Sequence, residues 1–248
     1  AAGRLFYLEN ISASVKVGER QLPHLHVLLR EACAVLDIAE PQLYVKQHPV
    51  PNAYTFAVPD ERAFIVIHTS LLELLTDEEV QAVIAHELGH LKCDHGVNLT
   101  LANLFVLATG AIPRYGPFLA QPLRMAMLEW LRCAEFSCDR AALLVSQDTR
   151  VLLSLMMKLS GGSPSLAHKL DPDAFLEQAR AYEELDNDPL SLGLKTAATA
   201  ERSHPVPVLR ARELDRWTRS DNYRRLTSGE HYRPLETSAT KSAPGTLK

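Results

Sequence analysis

Between Gln21 and Ile38, apolar residues recur at Leu22, Leu25, Leu28, Leu29, Ala32, Val35 and Leu36, a three-and-four spacing that predicts a helix with one buried face. Three short β-rich stretches follow at Leu43 to Lys46, Tyr54 to Val58 and Ala63 to His68. Pro49, Pro51, Pro59 and Asp60 lie between them and predict turns, so the strands are expected to form a small meander. At Thr76 the helical period returns. Thr76 and Glu79 have the spacing of a capping box, and Asp77, Glu78 and Glu79 suit the positive end of a helix dipole, so a helix is expected from there to about Asp94.

The second half reads as mostly helical. Met127, Leu128, Leu131, Ala134, Cys138, Ala141, Ala142 and Val145 predict a long helix across Leu123 to Val145, and Val151 to Leu159 predicts a shorter one. Gly161 to Pro164 reads as a loop, Asp171 to Leu185 as a helix, Asn187 to Arg202 as irregular, and Val206 to Arg219 as the last helix. From Thr227 to Lys248 the chain is rich in Ser, Thr, Pro, Gly and charge, and disorder is expected. The pattern predicts an α+β fold, mostly helical, with a small mixed or antiparallel sheet beside the Thr76 helix. One unit over 1–226 and a tail over 227–248 are expected.

Two segments, Leu99 to Ile112 and Pro117 to Leu131, are unusually apolar. The first is only 14 residues long and contains Thr100, Asn103 and Thr109, short of the roughly 18 uninterrupted apolar residues that a spanning helix needs. The pair therefore reads either as two core helices packed on each other or as a peripheral membrane or lipid-surface contact through 99–131.

Composition narrows the class further. The 248 residues are 46% apolar and 23% charged, enough for a full-sized core. A net charge of -4 with scattered Lys and Arg excludes a nucleic-acid footprint. Cys33, Cys93, Cys133 and Cys138 lack CxxC spacing, which argues against a disulfide framework or a thiolate zinc site and predicts small buried residues. The sequence opens Ala-Ala-Gly-Arg with no initiator methionine or apolar leader, so any targeting segment is expected to have been removed or never present.

The chemistry concentrates in Ala85-His86-Glu87-Leu88-Gly89-His90. Histidines four apart on a helix share one face, as two zinc ligands require, while Glu87 sits about 100° round from His86, placed to take a proton from a metal-activated water. Gly89 beside the pair permits close approach. A catalytic zinc wants a third protein ligand and an open position. The metzincin pattern needs a histidine where Gly96 stands, and an aminopeptidase spacing needs Glu where Thr109 stands; both fail. Glu135 remains, followed one turn later by Asp139. Glu135 can ligate the metal and Asp139 can accept the free imidazole N–H of a ligand histidine, the alternative being an exposed acidic pair. His95 has no assigned role, and His24, His26, His48, His68, His168 and His231 read as ordinary surface or core histidines.

These motifs resemble the HtpX heat-shock protease and CAAX prenyl protease family, peptidase family forty-eight of the gluzincin type, over roughly Leu43 to Arg219. His86, Glu87 and His90 match its zinc helix, and Glu135 with Asp139 matches its Glu-x-x-x-Asp helix. Pro51-Asn52-Ala53-Tyr54 resembles the Asn-Ala-Phe segment of its substrate-side edge strand, with Tyr54 departing from Phe. Ser203-His204-Pro205 with Arg210 resembles its C-terminal Thr-His-Pro and Arg pattern.

The resemblance implies a zincin-like catalytic domain that holds one zinc ion per chain and cleaves a protein or peptide substrate. It implies that Asn52 and Ala53 contact extended peptide, that His204 stabilises the oxyanion, and that Arg210 holds the His204 segment. The chain looks closer to the compact members of plastids and bacteria than to the integral-membrane ones, implying a chloroplast, plastoglobule or membrane-peripheral location. Two other readings stay open, a catalytically silent zinc-binding chaperone or interaction module and a membrane-interface scaffold built on Leu99 to Leu131.

Overall fold

The computed structural model describes residues 8–56, 63–199, 202 and 204–228. The end of the expected strand at 57–58, Pro59, Asp60, Ser203, His231 and the expected tail from 229 onward lie outside the described residues.

A four-stranded sheet has the order β1-β2-β4-β3, with β1 at Val15–Lys16, β2 at Gln42–Lys46, β3 at Ala53–Phe56 and β4 at Phe64–His68. The expected meander is not what forms. Strand β2 pairs in parallel with β4, in register from Gln42 opposite Phe64 to Lys46 opposite His68, and β3 pairs antiparallel with the far side of β4. All five residues of β4 are buried, so it takes the centre and displaces β3 to the edge. Alternation then divides the faces. Leu43, Val45, Ile65 and Ile67 turn to the helical core, while Tyr44, Phe64 and Val66 form a smaller cluster with Tyr54 and Phe56.

Helix α1 (Pro23–Leu36) buries Leu25, Leu29, Ala32 and Cys33, one stripe at helical spacing. A short helix the pattern did not announce, α2 (Thr69–Leu74), leads from β4 into α3 (Asp77–Lys92). The capping box at the start of α3 forms in both directions: Thr76 Oγ1 accepts from the Glu79 N–H, and Glu79 Oε2 accepts from the Thr76 N–H. Ala82, Ile84, Ala85 and Leu88 have no exposure at all, so α3 is the central core helix. It packs chiefly against the C-terminal half of α5 (Gly116–Ser146) and against α1.

Glu79 does a second job. Buried within the core, it accepts from Ser154 Oγ at 2.6 Å and Lys158 Nζ at 2.7 Å, both on α6 (Thr149–Gly161). The N-terminus of α3 is thereby tied to α6.

Helix α4 (His95–Gly110) and the start of α5 form a hairpin whose turn brings Gly116 against Gly110; a Cβ at Gly116 would stand 2.3 Å from the Gly110 carbonyl oxygen. The reading of two core helices does not hold for this pair. No residue of α4 is buried, and Leu101, Leu104, Phe105, Leu107 and Phe118 are all more than half exposed. Among the described residues no helix is long and apolar enough to cross a membrane.

Helix α7 (Pro172–Glu184) precedes the segment read as irregular, which instead contains α8 (Pro189–Thr199). Gly193 disguised it. Asp188 caps its start, its Oδ2 accepting from the Ser191 N–H and hydroxyl, and Lys195 fastens it to the Tyr182 carbonyl and Asp186. Helices α9 (Pro207–Thr218) and α10 (Asp221–Thr227) are the last elements among the described residues. Cys33 and Cys138 are buried as expected, but Cys93, at the end of α3, and Cys133, on the outer side of α5, are exposed.

Lys158→Met, which keeps volume and removes the charge, strands Glu79 in the core. It should cost about 3 kcal/mol in urea unfolding, most of it recovered in Glu79→Gln/Lys158→Met. Equal loss in the single and double variants would show that packing, not the ion pair, carries the effect.

Candidate metal centre

His86 and His90 lie a turn apart on one face of α3, ring centroids 5.1 Å apart. Helix α5 presents Glu135 to both, with Oε2 3.5 Å from His86 Nε2 and Oε1 3.4 Å from His90 Nε2. Tetrahedral donors to one zinc-like ion stand about 3.3 Å apart, so this donor set fits a divalent metal with one position open. Gly89 sets the approach: a Cβ there would stand 3.1 Å from both Cα and Sγ of Cys138 and 3.3 Å from the Ala141 Cβ.

Each histidine is oriented through its other nitrogen. His86 Nδ1 donates to Asp139 Oδ1 at 3.0 Å, and Arg210 on α9 donates from Nε to Asp139 Oδ2 at 2.8 Å and from Nη2 to Oδ1. This turns the other ring nitrogen of His86, Nε2, toward Glu135. His90 Nδ1 instead lies 3.1 Å from Nδ1 of His95, whose ring stands edge-on to Trp130. Burial, and then His90 itself, push the His95 imidazole down. His95 was passed over in the sequence because five residues from His90 is no ligand spacing; the turn between α3 and α4 brings it back.

The electrostatics are those of an anionic cage. Burial drives Glu135 upward, but hydrogen bonds from His204, His86 and His90 overcome it and hold the carboxyl far below the usual range. Burial likewise opposes ionisation of Asp139, and the Arg210 guanidinium overrides it, leaving the acid at about 2. Burial also disfavours a charged His86, yet hydrogen bonds to Asp139 and Glu135 raise it to about 9.

Donor atoms of His86, His90 and Cys138 also fall within 4.8 Å of one another. That grouping is chemically weaker. Burial, followed by Glu135 and Asp139, pushes the Cys138 thiol far up, and a protonated thiol is a poor donor beside an ionised carboxylate.

The other expected residues come together here. Asn52 and Ala53, at the start of edge strand β3, border with His86, Glu87, Glu135 and His204 a cleft of about 280 Å³. Tyr54 turns to the opposite face, where its hydroxyl donates to Asn10 Oδ1, which gives a polar use to the position where Phe was expected. His204 Nδ1 lies 3.1 Å from Glu135 Oε1, a hydrogen bond that raises the largely exposed imidazole. Glu87 is buried and accepts from Thr55 Oγ1 at 2.6 Å. Thr55 had escaped notice, although it stands two positions beyond Ala53 and so shares its face of the strand.

A helix with two histidines a turn apart, met by a carboxylate from a neighbouring helix and laid beside a small mixed sheet, is the arrangement expected of a gluzincin-type metallopeptidase. The chain belongs to peptidase family M48, whose model matches residues 19–218. It is 55% identical over 223 residues to the "Plastoglobule-localized metallopeptidase 48, chloroplastic" of Arabidopsis thaliana, covering 90% of this chain and 65% of that protein. It is 30% identical over 169 residues to "Protease HtpX homolog 2" of Methanosarcina mazei, covering 58% of each. The chain thus spans less than two thirds of the length of these relatives. S. mikatae Ste24p aligns over 82% of this chain and 52% of its own, at 18% identity and a TM-score of 0.47.

The two donor sets differ in outcome. Glu135→Ala should abolish stoichiometric zinc uptake while Cys138→Ala retains it, as read by elemental analysis after dialysis. Asp139→Asn should bind zinc about 10- to 100-fold more weakly by competition with a chromophoric chelator. Retention of zinc by Glu135→Ala, or its loss in Cys138→Ala, would hand the third position to the thiol.

Proposed function

We propose that this chain is a zinc-dependent peptidase, a metalloendopeptidase that holds one zinc ion through His86, His90 and Glu135 and uses Glu87 as general base. The convergence of both imidazole Nε2 atoms on the Glu135 carboxylate, with Glu87 beside them in a cleft edged by β3, is the observation that most supports this reading. Bound zinc supplies a Lewis acid that polarises the scissile carbonyl and makes water acidic enough to lose a proton near neutral pH.

The chain's own residues do the rest. Glu87 takes the proton of the attacking water and returns it to the leaving amine. Asp139 keeps His86 in the metal-facing tautomer, Arg210 holds Asp139, and His95 does the corresponding work for His90. His204, free to swing from Glu135 because it is exposed, donates to the oxyanion. Ala53 offers backbone to an extended substrate at the sheet edge, and Asn52, whose carbonyl is taken by the His68 N–H, borders the same cleft.

The hairpin of α4 and α5 is assigned to a lipid surface. Between His95 and Leu123 its one charged side chain is Arg114, at the apex, and the exposed Val97, Leu101, Leu104 and Phe105 recur at helical spacing along one face of α4. A cavity of about 480 Å³ between the two helices, lined by Phe105, Val106, Leu123, Met127 and Trp130 among others, carries no acid or base. The plastoglobule location in the name of the Arabidopsis relative agrees with a chloroplast lipid-droplet surface for this chain.

Glu87→Gln should keep its zinc and lose at least about 100-fold in turnover of casein or a quenched peptide, and 1,10-phenanthroline should abolish wild-type cleavage. Wild-type turnover in Glu87→Gln would refute the assignment. Flotation with phosphatidylcholine-coated triacylglycerol droplets should carry the wild type upward and leave Leu104→Asp/Phe105→Asp in the dense fraction; equal behaviour would remove the lipid assignment.

A further inference from the structure

We infer that Thr55 is a positioning residue for the general base, so that the edge strand holds Glu87 as well as bordering the cleft. The inference rests on the reading of Glu87 as base. The Thr55 hydroxyl has one proton and two acceptors in reach, Glu87 Oε2 at 2.6 Å and the Glu87 main-chain oxygen at 3.3 Å. The ionised and nearer acceptor takes it, because a charge-assisted hydrogen bond is the stronger. One carboxylate oxygen is then fixed, and Oε1 is the oxygen left for proton transfer.

The hydroxyl itself is well anchored. Strand β3 is paired along β4, Thr55 opposite Ile65. On the strand's other face the Tyr54 hydroxyl bonds to Asn10, and the Phe56 ring lies 5.8 Å from that of Phe64. Thr55 therefore projects from a strand fastened on the side away from the cleft. Glutamate is long and has several rotamers, so a base at the end of helix-borne methylenes needs such an external fix if its reactive oxygen is to stay in register with the substrate. Because Ala53 shares the face of Thr55, one strand sets both where an extended chain lies and where the proton acceptor points.

Thr55→Val keeps the β-branched shape and removes the donor; Thr55→Ser keeps the donor. With zinc loaded, Thr55→Val should lower kcat about tenfold with KM within about twofold, and Thr55→Ser should restore most of the loss. In crystals of the zinc-loaded variants, Glu87 should occupy more than one rotamer in Thr55→Val and a single one in Thr55→Ser. An unaltered kcat in Thr55→Val, equal losses in Val and Ser, or a Glu87 side chain that keeps its place in Thr55→Val would each overturn the inference. A wild type without peptidase activity would overturn the function instead, and the crystallographic comparison would still decide whether Thr55 holds Glu87.

Discussion

The close approach of α3 and α5 at Gly89 and Cys138 is the contact on which the site depends. A carboxylate on one helix can meet two imidazoles on another only if the axes come near enough for a short side chain to span the gap. The glycine permits this at a known cost, since a glycine inside a helix is about 1 kcal/mol less favourable than alanine. An alanine would gain helix propensity and press against the Cα of Cys138. It would move Glu135 away from both histidines, so a stability assay alone would misjudge the substitution.

Around that contact, charge is arranged in shells. Glu135 and Asp139 stay ionised although buried, one because three histidines surround it and the other because Arg210 clamps it. Buried charge of this kind is costly unless it is paired, and His86 bridges the two carboxylates. His95 stands under His90 in the corresponding place and adds no negative charge.

Local signals carried the parts of the fold that local physics decides. The Thr76 cap, the buried stripe of α1 and the helical spacing of Glu135 and Asp139 all depend on residues within a turn or two of each other, and they were legible. The strand order was not, because pairing β2 with β4 past β3 depends on which strand is buried on both faces, a property of the whole core. Helix α8 was hidden by Gly193 although Asp188 and Pro189 mark its start. In the site, residues recognisable by ligand spacing could be named from the chain. Thr55 and His95 could not, since each acts through a contact made by the fold, 32 residues away in the chain in one case and across a helix break in the other.

The hairpin also bears on how the chain can change. It is the stretch of sequence that separates the two histidines from Glu135, and its apex at 111–115 lies the whole length of α4 away from the histidines. Loop-closure entropy grows only slowly with length, so lengthening or shortening the turn at 111–115 perturbs the meeting of α3 and α5 very little. The geometry at His86, His90 and Glu135 and the reach of the apolar arm are thus separable traits.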